Sequence, residues 1–371
     1  MKEKNTVIEK LEEAFNFLKD NFFFTINCYN KFMPKLDILI CGSTGYIGIE
    51  LIKLLIKHPN VNIKYLCGNT SQGKKINNFD KKIKKKLPKI IKFEKRLLKH
   101  VDVVFTALPN SEAQRISNFL LPKNILIDLS ADFRLDNAKD YLKWYSINHK
   151  SKKNIKKSIY SLPELTKGKL KKFKIISCPG CYPTSILLPL IPLFKSKLVK
   201  TSSIVIDSKS GYSGAGRSIH SKYNKYELNE TLGAYGVGFH RHNSEIEQEL
   251  KKYTKSKVEF SFTPHLSPMF RGILSTIYLD MNKNASINKI YAYLKKFYKK
   301  DYFINIEPIN TFLNTKKVVN SNFCNISICK TRNNSKIIVL SAIDNLIKGG
   351  AGQAVQNLNL YYKYKLTKGL I

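Results

Sequence analysis

The run Ser177-Cys178-Pro179-Gly180-Cys181-Tyr182-Pro183-Thr184 combines thiols, a forced turn and a helix start. Pro179-Gly180 turns the chain, Pro183 suits the first turn of a helix, and the apolar run from Ile186 continues it. Cys181 therefore falls where a strand ends and a helix begins. Unpaired backbone N–H groups at such a start carry partial positive charge, which is expected to lower the thiol pKa and favour the nucleophilic thiolate. Three other readings of this cysteine are a buried structural residue, a C-x-x-C redox pair with Cys178, and half of a zinc site. A zinc site needs a second pair, and Cys324 and Cys329 have no nearby His; a redox pair would ordinarily accompany a first βαβ unit.

Four more stretches carry chemistry. Gly42-Ser43-Thr44-Gly45-Tyr46-Ile47-Gly48 places glycines where backbone could approach a pyrophosphate lying on a helix N-terminus. Ser208 to Ser218, with Ser210, Ser213, Gly214 and Arg217, describes a loop able to fold around a phosphate or carboxylate. His240-Arg241-His242 stands just before a helix read as starting at about Ser244, from a capping box of Ser244 and Glu247. That location disfavours imidazolium and keeps a base neutral near pH 7. His265 lies near the same part of the chain. A last glycine-rich helix start, Asp344 to Asn357 with Asn345 and Gly352, suits closure over a nicotinamide, or a close helix packing contact.

The elements that must hold these residues follow from periodicity. Strands are expected at Leu36–Ile40, Asn62–Leu66, Val101–Ala107, Ile125–Leu129, Lys174–Ser177, Ser203–Asp207, Tyr235–Phe239 and Lys336–Ala342, and a helix from Ile47 until Pro59 stops it. Strand, glycine turn, helix and second strand make a dinucleotide-binding start. The second strand ends without the acidic residue that holds an NAD ribose; Thr70, Ser71, Lys74 and Lys75 stand there instead, which favours the 2′-phosphate of NADP. In an open parallel sheet, ligands bind beyond the carboxyl ends of strands. Pro109 and the Asp132-Phe133-Arg134 segment, each following a strand end, should converge with Cys181 on one crevice.

Composition narrows the class. The chain has 371 residues, enough for two domains or three, with 43% hydrophobic and 25% charged residues. The longest apolar run, Ile186 to Phe194, is broken by Pro189 and Pro192, so no membrane span is expected. The net charge of +37 raises a nucleic-acid partner, but only seven of the 64 basic residues are arginine and the lysines are scattered throughout, as on solvated faces. Seven cysteines without a secretory signal fit a reducing cytoplasm better than a disulfide scaffold. Residues 1–32 precede the first strand as an extension, expected to be dispensable, with Met33 beside the start of the nucleotide-binding unit.

In order, Gly42 to Gly48, Asp128 to Leu135, Tyr160 to Leu165, Pro179 to Thr184, Ser210 to Arg217, His240 to His242 and Asp344 to Asn357 resemble the N-acetyl-γ-glutamyl-phosphate reductase family. Pro-Gly-Cys-Tyr-Pro-Thr and Ser-Gly-Tyr-Ser-Gly-Ala-Gly-Arg are the specific stretches. The chain departs in having Cys178 where Asn is common, Asn110 for His and Ser244 for Pro. The resemblance implies an α/β fold: a Rossmann domain of residues 33–180 and 340–371, and an inserted α+β catalytic and oligomerisation domain of residues 181–339. It implies NADPH-dependent reduction of an acyl phosphate through a thioester on Cys181, with His240 or His242 managing the proton. The cofactor set is then Gly42, Ser43, Thr44, Gly45, Tyr46, Ile47, Gly48, Thr70, Ser71, Pro109, Ser213, Gly214, Asn345 and Gly352. Arg134, Ser210, Arg217 and Arg241 are expected on the substrate, with Arg271 as another candidate for its α-carboxylate. No metal is expected. The assembly should be a homodimer or homotetramer. A glutamyl substrate is not separable here from an aminoadipyl one, and the alternative is a related acyl phosphate such as an aminoadipyl or aspartyl phosphate. Two rival classes are a short-chain reductase, whose Tyr-x-x-x-Lys occurs only at chance frequency, and a basic nucleic-acid binder, which leaves Cys181 and the glycine loops unexplained.

Overall fold

Short β-rich runs between turn signals form the first sheet of the computed structural model, which describes residues 34–221 and 223–371. Its strands are β1 (Leu36–Cys41), β2 (Val61–Cys67), β3 (Val103–Thr106), β4 (Ile125–Asp128), β5 (Ser158–Tyr160) and β6 (Ile175–Ser177), in the order β2-β1-β3-β4-β6-β5. The pairs β1–β3, β3–β4, β4–β6 and β5–β6 are parallel. Ile38, Leu39, Ile40, Val104, Phe105, Leu126 and Ile127 have no exposed surface, as a parallel sheet covered on both faces requires. Register aligns the carboxyl ends: Cys41 pairs with Thr106, Thr106 with Asp128, Asp128 with Ser177, and Ser177 with Tyr160. Five strands thus stop along one line, and their following loops face one crevice.

The helix Tyr46–Lys57 follows β1 across the glycine turn. Gly42 has a φ of +82°, and a Cβ there would lie 2.1 Å from the Ala107 carbonyl oxygen, so no other residue fits this turn.

The second sheet holds β7 (Ile204–Gly211), β8 (Gly233–Ala234), β9 (Phe260–Ser267), β10 (Ile273–Asp280), β11 (Ile304–Ile306), β12 (Cys324–Lys330) and β13 (Lys336–Ile343), in the order β11-β12-β13-β10-β7-β9-β8. It is mixed: β10 is antiparallel to β7 and β13, while β7 and β9 are parallel. The helices Cys181–Ser196, His242–Lys251 and Ile287–Phe297 share one core with it, through Ile186, Leu190, Ile246, Leu250, Ile290 and Leu294 against Ile206, Ile277 and Val339. The Cys181 helix therefore starts at the first sheet and packs on the second. The expected Rossmann layer plus α+β layer is the architecture found.

Several local expectations change. The Cys181 helix runs through Pro189 and Pro192. The Leu188 carbonyl, which Pro192 cannot engage, accepts from the Tyr298 hydroxyl at 2.5 Å. Tyr235–Phe239 is a turn rather than a strand, because Gly236 and Gly238 take φ of +56° and +77°. β13 belongs wholly to the second sheet, so the division expected at residue 340 cuts a strand, and the chain returns to the first sheet only after Ile343. There it forms a π-helical turn, Ile347–Ala351, and then the helix Gly352–Tyr362. That helix is tied to the first sheet's layer by Asn357 to Ser161 at 2.6 Å and Asn359 to His58 at 2.8 Å. The extension of residues 1–32 lies outside the described residues. Among the described residues no helix is long and apolar enough to cross a membrane.

Candidate active site

Cys181 opens its helix directly after Gly180, an N-cap in extended conformation with no side-chain cap. The N–H groups of Cys181 and Tyr182 therefore reach the sulfur, and Arg134 adds positive charge. Burial nonetheless pushes the thiol up to about 11, with buried Glu245 acting in the same direction. The lowered pKa expected from the sequence is not found: desolvation, invisible in a local motif, outweighs the helix start. Cys178 sits at the end of β6, fully enclosed. Its N–H donates to the Asp128 carbonyl at 2.7 Å, its sulfur lies 3.7 Å from Asn357 Nδ2, and burial pushes its thiol up to about 12.

One cleft is lined by Cys178 to Cys181, Ser130, Arg134, Gly214, Arg241, His242, Asn345, Gly349 and Gly350, among others. His242 belongs to it and His240 does not. The His242 ring lies against Gly180, where a Cβ would come within 2.4 Å of Nε2. Its buried Nδ1 has no hydrogen-bond partner among the described residues. Burial first, then neighbouring His240, Arg134 and Arg241, hold it well below the usual imidazole range, so it is a neutral base. His240 makes edge-to-face contacts with Tyr182, Tyr235 and Phe262 at 5.4 to 5.8 Å between ring centroids, its Nδ1 accepting from the His242 N–H at 3.2 Å; burial lowers it to about 4. Both are neutral as expected, chiefly through burial. The helix begins at His242 rather than at Ser244. The Ser244–Glu247 capping box does not form, since Ser244 Oγ donates back to the Arg241 carbonyl at 2.6 Å.

Glu245, which sequence reading missed, ties the site together. Its carboxylate accepts from the Gly180 N–H at 2.9 Å, the Tyr160 hydroxyl at 3.0 Å and Arg134 Nη1 at 3.0 Å, and lies 3.7 Å from His242 Nε2. The signal was its place one helical turn after His242.

Matches to known proteins agree with this geometry. A family profile described as semialdehyde dehydrogenase, NAD binding domain, covers residues 37–173, and one described as semialdehyde dehydrogenase, dimerisation domain, covers residues 181–345. The N-acetyl-γ-glutamyl-phosphate reductase of Clostridium novyi (strain NT) is 44% identical over 335 residues, 89% of this chain and 96% of the relative. That of Brachyspira hyodysenteriae is 42% identical over 344 residues, 90% and 98% of the two chains. The chain belongs to the N-acetyl-γ-glutamyl-phosphate reductase family. Solved aspartate semialdehyde dehydrogenases share the fold: the Vibrio cholerae enzyme II with a TM-score of 0.66 at 16% identity, covering 89% of this chain and 99% of its own, and the Candida albicans enzyme with NADP with 0.60 at 19%, covering 90% and 99%.

Within this family member the four candidate arginines separate. Arg134 is buried, with Nε on the Cys178 carbonyl, Nη2 on the Leu129 carbonyl and Nη1 on Glu245, each at 3.0 Å. It borders the cleft mainly as a brace. Arg271 is held by Glu50, Asp344 and Asn320 at 2.7 to 3.2 Å and is not available to a substrate. Arg217 lies over the Tyr46 ring at 4.7 Å with Nε on the Thr44 carbonyl at 2.8 Å, so it clasps the nucleotide turn rather than lining the cysteine cleft. Arg241 is exposed at the cleft, and no carboxylate or carbonyl among the described residues holds its guanidinium.

On the cofactor side, Gly45 caps the helix Tyr46–Lys57 without a side-chain bond, and a Cβ there would meet only the Gly42 carbonyl oxygen, at 3.6 Å. A side chain would thus have room beside this turn, space that fits a pyrophosphate. Ser43 and Gly42 are pinned by the Cys67 carbonyl, Gly48 packs on the turn, and Ile47 reaches the cleft. Thr70 is exposed and Ser71 buried in the loop after β2, and Pro109 is exposed in the loop after β3. Asn345 lines the cleft with Nδ2 on Ser213 Oγ at 3.0 Å, beside Gly214. Ser210 lies behind, bonded to Tyr182. Gly352 is not at the cleft: a Cβ there would meet Asn322 at 2.4 Å and Ile347 at 2.7 Å, the packing reading of that glycine. Gly349 and Gly350 take its place, which no helical periodicity could reveal because the turn carrying them is π-helical. Among the described residues no cluster of His, Cys, Asp or Glu is placed to hold a metal ion.

Proposed function

We propose that the chain reduces N-acetyl-γ-glutamyl phosphate to N-acetylglutamate semialdehyde, with release of inorganic phosphate, as a step of arginine biosynthesis. The observation that carries this reading is a thiol at an uncapped helix start, in one cleft with a buried neutral imidazole and a free arginine fork. His242 takes the thiol proton as Cys181 Sγ bonds to the acyl carbon, and the carbon–oxygen bond to phosphate breaks. The Cys181 and Tyr182 N–H groups steady the sulfur while it is anionic. Arg241 holds an anionic group of the substrate by two parallel hydrogen bonds. NADPH, when bound on the open Gly45 turn, supplies hydride to the thioester carbonyl. His242 returns its proton as the carbon–sulfur bond breaks, and sulfur's weak resonance with the carbonyl suits the step. Thr70, Ser71, Lys74 and Lys75 after β2 support NADP over NAD.

The homo-oligomer forms through the open face of the second sheet. Val205, Tyr278 and Ile338 stand in one row there, Asp207, Thr276 and Leu340 in the next, and Val205 and Tyr278 are exposed. Exposed apolar side chains on an open sheet face support an interface between copies. The six described cysteines are unpaired, which supports a reducing cytoplasm.

The test is turnover of two synthetic acyl phosphates, N-acetylglutamyl and the aminoadipyl analogue one methylene longer. Faster NADPH oxidation with the glutamyl compound is expected. Preference for the longer one would overturn the substrate, and oxidation with neither would overturn the reaction.

A further inference from the structure

Lys348 and Glu164 form an ion pair with essentially no solvent exposure, 0% and 1% for the two side chains. Lys348 Nζ donates to Glu164 Oε1 and, at 2.9 Å, to Gln356 Oε1. Gln356 Nε2 donates to the same Glu164 oxygen at 2.7 Å, and Asn322 Nδ2 to Gln356 at 2.9 Å. Burial alone would raise the Glu164 carboxyl, yet Lys348 and Gln356 hold it below its ordinary value. A buried pair of this kind adds little net stability over apolar side chains of similar size, because desolvation cancels most of the attraction. Its location suggests another use.

Lys348 is the second residue of the π-turn Ile347–Ala351, and the next residue, Gly349, is the wall against Cys181. A Cβ on Gly349 would lie 2.7 Å from Cys181 Cβ. The turn itself rests on wide backbone bonds, Gly349 N–H to the Asp344 carbonyl at 2.9 Å and Ala351 N–H to Leu346 at 2.8 Å. Glu164 comes from the loop after β5, whose Tyr160 also holds Glu245. The pair therefore joins the C-terminal turn to the sheet edge that braces the Cys181 helix start.

We propose that Lys348 and Glu164 are positioning residues for the nucleophile: their buried pair fixes the π-turn so that the Gly349 backbone sets the position of the Cys181 side chain. This rests on Cys181 being the nucleophile. The pair touches neither substrate nor cofactor; it acts through Gly349. Misplacement of a reacting group by a fraction of an ångström costs about tenfold or more in rate.

The experiment separates positioning from stability by removing the pair in two ways. Lys348→Met and Glu164→Gln each leave one buried partner without its mate and are expected to lower the melting temperature and kcat. The double variant removes both and is expected to regain most of the melting temperature, while kcat stays down by about tenfold or more. The KM for acyl phosphate is expected to move less than about threefold, since no binding group changed. Recovery of kcat in parallel with the melting temperature would overturn the proposal, as would unchanged kcat in Lys348→Met. Should the double variant not fold, Glu164→Asp keeps the charge and shortens its reach; a reduced kcat there supports positioning, and wild-type kcat refutes it. Cys181→Ala in the same assay must abolish turnover. If it does not, the nucleophile assignment fails on its own, whatever the pair does.

Discussion

The helices Tyr46–Lys57 and Cys181–Ser196 begin alike. Each follows a strand of the first sheet, and each is capped by a glycine in extended conformation, Gly45 at φ −68°, ψ 163° and Gly180 at φ −64°, ψ 158°. Neither N-cap offers a side-chain bond to the orphan N–H groups. What stands in front of them differs. A Cβ on Gly45 would meet only the Gly42 carbonyl oxygen of its own turn, at 3.6 Å, while Gly180 is pressed by the His242 ring and gives its own N–H to Glu245. In the proposed function the same backbone start serves as an anion cradle when open and as a mount for a nucleophile when packed. Packing also raises the thiol, so the second site needs an adjacent base where the first needs none.

The largest way to break this contrast is at the sulfur. Cys181→Ser is expected to lower kcat by about three orders of magnitude or more, since the alcohol stays protonated and is a poorer leaving group, while Cys178→Ala retains substantial activity. Steady-state kinetics of the two variants decide it. His242→Asn follows, with a loss of about 10²- to 10⁴-fold in kcat, against less than tenfold for His240→Gln, whose ring lies outside the cleft. Equal losses would place the proton on the pair rather than on His242. Gly180→Ala drives a Cβ into the imidazole and is expected to cost about 100-fold in kcat, whereas Gly45→Ala, whose Cβ enters only the space assigned to NADPH, is expected to raise the KM for NADPH more than it lowers kcat.

A pH series sharpens the same contrast. With the Cys181 thiol pushed up to about 11, only the thiolate fraction reacts, so alkylation of the free enzyme by iodoacetamide should rise about tenfold per pH unit from 7 to 9. A plateau near neutrality would mean that the helix start, not burial, governs the thiol. The smallest expected effect lies at the open start: tighter binding of NADPH than NADH by about tenfold, from contacts to the 2′-phosphate after β2. Equal affinity, or tighter NADH, contradicts that assignment.

Much of this was legible in the sequence because turn chemistry is local. Pro179-Gly180 and Pro183 bracket Cys181, and three glycines in seven residues mark the nucleotide turn. Helical spacing set Glu245 beside His242, but its bracing role was not legible, since its partners Gly180, Tyr160 and Arg134 reach it across 65 residues or more. The π-turn was not legible either, because five residues do not distinguish its period from an α-helix. Arg271 and Arg217 look like substrate forks in sequence; only packing shows one spent on carboxylates and the other clasping Tyr46. The thiol pKa was misjudged for the same reason, as burial is a property of the assembled cleft.

The most direct test of the central claim is mass spectrometry of peptides from enzyme mixed with acyl phosphate in the absence of NADPH. The acyl adduct is expected on Cys181 alone. An adduct on Cys178, or none on either thiol while the enzyme turns over, would contradict the account.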